Sequence, residues 1–172
     1  MTNLEHLWAG WRSAYIDRTG QSGGPGSEEG CVFCAIFSSG LPDEMTHVVW
    51  RHPSGEVAAV LNAYPYASGH LMVMPTRHVG ELEALEPNEA ALLWSTVADA
   101  VRAVKAAYRP DGLNLGANLG RVAGAGVPGH LHLHVLPRWA GDTNFMTSVA
   151  GTRVLPETLE DSARKLKAAW PT

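Results

Sequence analysis

The sequence is poor in cysteine, in basic charge and in long apolar runs. Two of its 172 residues are cysteines, Cys31 and Cys34, and they share one C-x-x-C. That excludes a disulfide framework and leaves a metal or redox pair. Thirteen Lys and Arg stand against seventeen Asp and Glu, for a formal net charge of −4 and an isoelectric point near 6.0. Proteins that grip a nucleic-acid backbone usually carry a basic stripe. The charges here are spread along the chain, so a nucleic acid polymer is not an expected partner. No apolar run reaches the length of a membrane span, so no membrane partner is expected either. The opening stretch, MTNLEHLWAGWRSAYID, has no charged leader followed by an apolar segment. The expected location is therefore the cytoplasm.

What is present suits one domain with its own core, since 45% of the residues are hydrophobic. Residues 1–17 read as an aromatic N-terminal arm that packs on its own body or on a second subunit. Residues 18–30, RTGQSGGPGSEEG, read as a flexible Gly/Ser-rich loop. Residues 31–138 form the core of the domain, and 139–172 form a C-terminal extension and helix. Short apolar runs at 47–50, 56–63 and 70–75, closed by Pro, Gly or Asn, read as strands. Residues 87–108 read as a long helix, with Pro87 at its first position and Leu93, Val97, Val101, Val104 and Tyr108 along one stripe. Strands at 113–119 and 130–137 and a closing helix over 156–170 follow. With connections this short, an antiparallel α+β sheet is expected.

The segment GHLHLHVLPRW, residues 129–139, places His130, His132 and His134 at alternate positions. In a strand they share one face, while Leu131, Leu133 and Val135 share the other. Such a row suits metal ligation. It suits equally nucleophilic and acid–base work on a phosphate, because neutral imidazole is a competent nucleophile. The loop just before it, residues 118–126, holds Gly120, Gly124 and Gly126. Glycines let backbone N–H groups approach phosphate oxygens, and this favours a phosphate substrate. A cupin-like site would want a Glu soon after the last His, where the chain has Val135-Leu136-Pro137-Arg138. A metallo-β-lactamase-like site would want an Asp within the run. Arg121 and Arg138 lie close enough in sequence to neutralise a polyphosphate. Cys31 and Cys34 have metal-ligand spacing, and His47, His52 and His70 read as structural.

HLHLHVL, residues 130–136, resembles the signature of the histidine triad (HIT) nucleotide-binding proteins. LNAYPYASGHLMVMPTRH (61–78) and CVFCAI (31–36) resemble two further segments of that family, in the same order. The flanking LWAGWRSAYI and PRWAGDTNFM resemble the branch that holds the actinobacterial diadenosine tetraphosphate phosphorylases. The resemblance implies a HIT-like α+β fold with a five-stranded antiparallel sheet, usually as a homodimer sharing a larger sheet; the aromatic arm hints at a tetramer. It implies that His132 is the nucleophile towards an α-phosphorus and that His134 assists at the phosphate or leaving group, with His130 completing the catalytic row. Asn118, Gly124 and Gly126 would line the phosphate site, Asn62 would hold the ribose hydroxyls, and Val32, Phe33 and Ile36 would form a wall of the base pocket. It also implies a structural Zn²⁺ held by Cys31, Cys34, His78 and His130. The implied reaction is nucleotidyl transfer through a nucleotidyl-histidine, with a nucleotide or dinucleoside polyphosphate as partner. Phosphorolysis of diadenosine tetraphosphate to ATP and ADP, with inorganic phosphate as co-substrate, is the leading form. Hydrolysis of dinucleoside polyphosphates or nucleoside phosphoramidates to a nucleoside monophosphate is the alternative, and a nucleotide-binding sensor with little turnover is a third. Gly126 stands where many relatives carry Ser or Thr, and Gly129 adds a residue before the triad. These departures leave the second acceptor, phosphate or water, open.

Overall fold

The computed structural model describes residues 30–142 and 155–172. The aromatic arm over 1–17, the loop over 18–29 and residues 143–154 of the extension lie outside the described residues. The elements run α1 (Val32–Ser38), α2 (Asp43–Thr46), β1 (Val48–Arg51), β2 (Val57–Leu61), β3 (Leu71–Pro75), α3 (Pro87–Tyr108), β4 (Gly112–Gly116), β5 (Leu133–Arg138) and α4 (Leu159–Ala169). The strands form one five-stranded sheet in the order β1-β2-β3-β5-β4, with every pairing antiparallel. The α+β class and the strand count agree with the sequence expectation. No helix among the described residues is long and apolar enough to cross a membrane.

The long helix keeps its expected limits because both ends are chemically defined. Pro87 fills the first position, and Glu86 and Glu89 form a reciprocal capping box. Arg109 closes the other end in the left-handed region at φ 46°, and Pro110 prevents continuation. Leu93, Val97, Ala100, Ala103 and Val104 are buried on one stripe. They pack on Val57, Ala59, Leu61, Leu71, Val73, Leu131, Leu133 and Val135, and α4 adds Ala163, Leu166 and Trp170. Each such Leu or Val contributes about 1.5–3 kcal/mol on leaving water. The alternate residues Val60, Met72 and Met74 face the other way, towards Cys31 and Phe33 of the α1 segment. The sheet thus has a helical, largely apolar side and a second side on which polar groups are gathered. That division comes from the period of two in the strands.

Three boundaries differ from expectation by three residues. The strand expected over 130–137 joins the sheet only at Leu133, because β3 pairs no further than Val73 with Leu133. His130 and His132 precede the ladder yet keep its alternation, with Leu131 held in the core by its N–H to Val79 O, 2.6 Å. The strand expected over 113–119 stops at Gly116, before the glycine loop. The closing helix starts at Leu159 rather than 156, because the Thr158 hydroxyl accepts the N–H of Asp161 and caps it there.

Gly69 sits at φ +75° with Tyr108 against it, so that a Cβ would lie 2.5 Å from the Tyr108 ring. The ring cannot easily give, because its hydroxyl donates to Glu157 at the start of α4 and its hydroxyl pKa is raised by burial and then by that carboxylate. Gly69→Ala is expected to cost roughly 2–3 kcal/mol. For a chain of this size that lowers the unfolding midpoint by about 5–10 °C. Thermal denaturation followed by circular dichroism checks it; an unchanged midpoint would mean that Tyr108 moves aside.

Candidate functional site

The polar side of the sheet carries two adjoining groups of residues. The first is a cluster of Cys31, Cys34, His78 and His130, whose ligand-capable atoms all lie within 4.8 Å of one another. Cys31 caps the start of α1 and Cys34 follows one turn later, so the C-x-x-C spacing puts both sulfurs on one side of that helix. His130 Nδ1 lies 3.3 Å from Cys31 Sγ and 3.6 Å from Cys34 Sγ, and Cys34 Sγ lies 3.2 Å from His78 Nδ1. The Nε2–H of His130 donates to Pro75 O at 2.8 Å. A carbonyl can only accept, so Nδ1 is left with its lone pair directed at the sulfurs. Two sulfurs and two imidazoles, with one ring oriented by a backbone carbonyl, are a donor set that fits a tetrahedral metal ion.

The second group surrounds an open cleft on this face of the sheet, lined by both apolar and polar side chains. His132 and His134 line it. His132 is 5% exposed, and its Nδ1 lies 2.8 Å from His130 O. That carbonyl makes Nδ1 the protonated nitrogen and leaves Nε2 with the lone pair. Burial pushes the His132 pKa below its ordinary value, partly opposed by the same hydrogen bond. The neutral, nucleophilic form therefore persists to lower pH than in a free imidazole. Phe33 rests 5.3 Å, centroid to centroid, from the rings of both His130 and His132.

His134 receives the opposite arrangement. His70, fully buried, accepts the Tyr66 N–H on Nδ1 at 3.2 Å, and Asn62 Nδ2 lies 3.4 Å from the same nitrogen. Its Nε2 is then the protonated one, and it lies 2.9 Å from His134 Nδ1. His134 Nδ1 accepts, and Nε2 of His134 carries the proton. Two neighbouring imidazoles, 5.1 Å apart and nearly perpendicular, thus hold opposite tautomers. One offers an electron pair and the other a hydrogen-bond donor, a pairing that suits displacement at phosphorus.

Asn118, Gly124 and Gly126 line the same cleft, with the Asn118 amide donating to Gly124 O at 3.3 Å across the loop. Asn62, Val32, Phe33 and Ile36 line it too. Two expectations need correction. Arg138 does not line the cleft. It lies four residues along β5 from His134, about 13 Å away, and its guanidinium is held by Asp142 and by Asn114 at 2.9 Å. His130 turns its ring to the cysteine cluster, so its part at the cleft is its carbonyl. Arg121 is exposed and outside the lining as well. Sequence reasoning overlooked Tyr66, Thr46 and His47 as lining residues and gave His70 a purely structural part. Tyr66 stood in plain view, four residues before His70 in a segment already singled out.

The HIT domain family model matches residues 45–141, more than half of the chain. The chain belongs to the HIT family. It is 42% identical over 167 residues to a protein named AP-4-A phosphorylase from Mycobacterium tuberculosis, covering 97% of this chain and 85% of that one. Among solved structures it resembles a Zn-bound histidine triad family protein from Mycobacterium smegmatis. The TM-score is 0.66 at 30% identity, over 83% of this chain and 94% of that one. It matches equally well a hypothetical histidine triad nucleotide-binding protein from Sulfolobus tokodaii, with a TM-score of 0.66 at 30% identity over 81% and 91% of the two chains. The expectation of an enzyme from the actinobacterial phosphorylase branch agrees with the mycobacterial relative.

Metal removal is the direct test of the cysteine cluster. A saturating chelator is expected to lower the unfolding midpoint by roughly 10 °C. Cys34→Ser should start near that lower value and respond little to the chelator. Elemental analysis of dialysed protein should give one metal ion per chain for the unaltered sequence and a small fraction of that for the variant. A midpoint indifferent to chelator would mean two reduced cysteines and no ion.

Proposed function

We propose that the chain is a nucleotidyl-transferring enzyme that splits dinucleoside polyphosphates, diadenosine tetraphosphate above all, with inorganic phosphate as acceptor. The observation that carries this is the pair of opposite tautomers on His132 and His134, in a cleft lined by a glycine loop and by apolar side chains. In the first step the His132 Nε2 lone pair attacks the α-phosphorus. The bond from phosphorus to the bridging oxygen breaks, its electron pair stays with that oxygen, and ATP leaves as the polyphosphate anion, with the His134 Nε2–H donating a hydrogen bond to the phosphate oxygens. A P–N bond now joins AMP to His132. In the second step a phosphate oxygen attacks the same phosphorus, the P–N bond breaks, and ADP leaves with His132 restored. The proton of hydrogen phosphate stays on the terminal phosphate of ADP, and His134 keeps its Nε2–H throughout. The mycobacterial relative's name supports phosphate over water as that acceptor.

Zinc is the ion we assign to Cys31, Cys34, His78 and His130, supported by the donor set and by the Zn-bound relative. Bound there it would cross-link α1 to the segment leading into β5 and so fix the carbonyl that orients His132. A homodimer is supported by β4, an edge strand exposed along most of its length with Leu115 on its surface.

Product analysis tests the reaction. Diadenosine tetraphosphate with the protein should give ADP and ATP only when phosphate is added. AMP and ATP, formed whether or not phosphate is present, would make it a hydrolase. Saturable binding without turnover would make it a nucleotide sensor. His132→Asn should lower turnover about a thousandfold or more while substrate affinity stays within about threefold. Normal turnover by that variant would remove His132 from the nucleophile's role.

A further inference from the structure

We infer that His47 is a specificity-determining residue that reads the hydrogen-bonding edge of the base, an inference that rests on the nucleotide reading above. Three separate observations meet at this residue. It adopts φ 58° and ψ 21° at the end of α2, a left-handed position where glycine or asparagine is the usual occupant. Its backbone is pinned on both sides, by its N–H to Asp43 O and by its carbonyl to Leu61 N at 2.9 Å. Its Nδ1 is buried without a hydrogen-bond partner, and its residue lines the cleft. An unpaired buried ring nitrogen in a strained backbone position is costly to the fold, and such a cost calls for a reason. Two other buried side-chain atoms without partners, Ser68 Oγ and Trp170 Nε1, belong to residues outside the cleft lining.

The sheet says which part of a nucleotide reaches His47. His134, Met72, Val60 and Val48 stand side by side across β5, β3, β2 and β1. Three strand spacings separate the ends of that row, about 14 Å. His47 immediately precedes Val48, at the far end from the phosphate chemistry. Asn62, linked to His70 and following β2, lies between. The order along the cleft is therefore phosphate at His132 and His134, sugar at Asn62, and base towards His47. Val32 and Ile36 of α1 add apolar lining to the cleft. A flat heteroaromatic ring against apolar walls can form hydrogen bonds only at its edge. His47 Nδ1 can donate or accept according to tautomer. A site with a buried polar group also disfavours a ligand that leaves it unpaired, so this nitrogen discriminates between bases as well as binding them.

The test is a binding competition with AMP, GMP, 2′-deoxy-AMP and ribose 5-phosphate on three variants. His47→Gly relieves the left-handed backbone, His47→Phe keeps a ring of similar area without nitrogen, and His47→Asn keeps a hydrogen-bonding group in a tolerated conformation. The unaltered chain is expected to separate AMP from GMP by about tenfold, the order of one hydrogen bond made or missed. In the Gly and Phe variants that ratio should fall to within about threefold, and in the Asn variant a preference should persist. Ribose 5-phosphate affinity and the AMP to 2′-deoxy-AMP ratio should stay within about twofold in all of them, which a general loss of structure would not allow. The inference fails if the unaltered chain binds AMP and GMP alike, if the Gly and Phe variants keep its ratio, or if ribose discrimination moves instead. Failure of the unaltered chain to bind any nucleotide would bring down the functional reading first.

Discussion

One hydrogen bond, from His132 Nδ1 to the carbonyl of His130 at 2.8 Å, governs what this site can do. It directs a lone pair rather than a proton from the other ring nitrogen. The carbonyl lies in the segment that leads into β5, which joins the sheet only at Leu133, so it is free of a strand partner and accepts from the imidazole instead.

The remaining supports converge on that carbonyl. His130 is fixed by its own Nε2–H to Pro75 O at the end of β3 and by the sulfurs of Cys31 and Cys34. The helix that carries those cysteines also supplies Phe33, which packs on both His130 and His132. One short helix thus provides the two sulfurs of the cysteine–histidine cluster together with apolar lining of the cleft. His134 takes its contrasting state from a different source, the Tyr66–His70 relay across β3. Two neighbouring rings end up as different tautomers because their Nδ1 atoms meet different partners, a backbone carbonyl in one case and an imidazole donor in the other.

Much of this was legible in the residues. Strand alternation alone put Leu131, Leu133 and Val135 in the core and the three histidines on the opposite side, and both hold. Helix α3 was readable because Pro87, the apolar stripe and Pro110 agree at every level. The separation of His130 from its two neighbours was not readable from the triad, since alternation gives them one face. Only the fold decides that the first ring meets Cys31 and Cys34 while the other two meet the cleft. Arg138 misled because nearness in sequence is not nearness in a strand, where four residues carry a side chain far along the sheet. His70 and His47 were read as structural, for a buried histidine in a strand-rich chain usually is. What sets them apart is which groups their nitrogens meet or fail to meet, and that is a property of the assembled sheet.

The account rests most directly on the two tautomers. Long-range ¹H–¹⁵N correlation spectra of the histidine side chains at neutral pH, assigned with His132→Asn and His70→Gln, report which nitrogen of each ring is protonated. The structure predicts His132 protonated at Nδ1 with a pyridine-like Nε2, and His134 protonated at Nε2 with Nδ1 accepting. Finding His132 protonated at Nε2, or both rings in the same tautomer, would contradict the assignment of nucleophile and hydrogen-bond donor together.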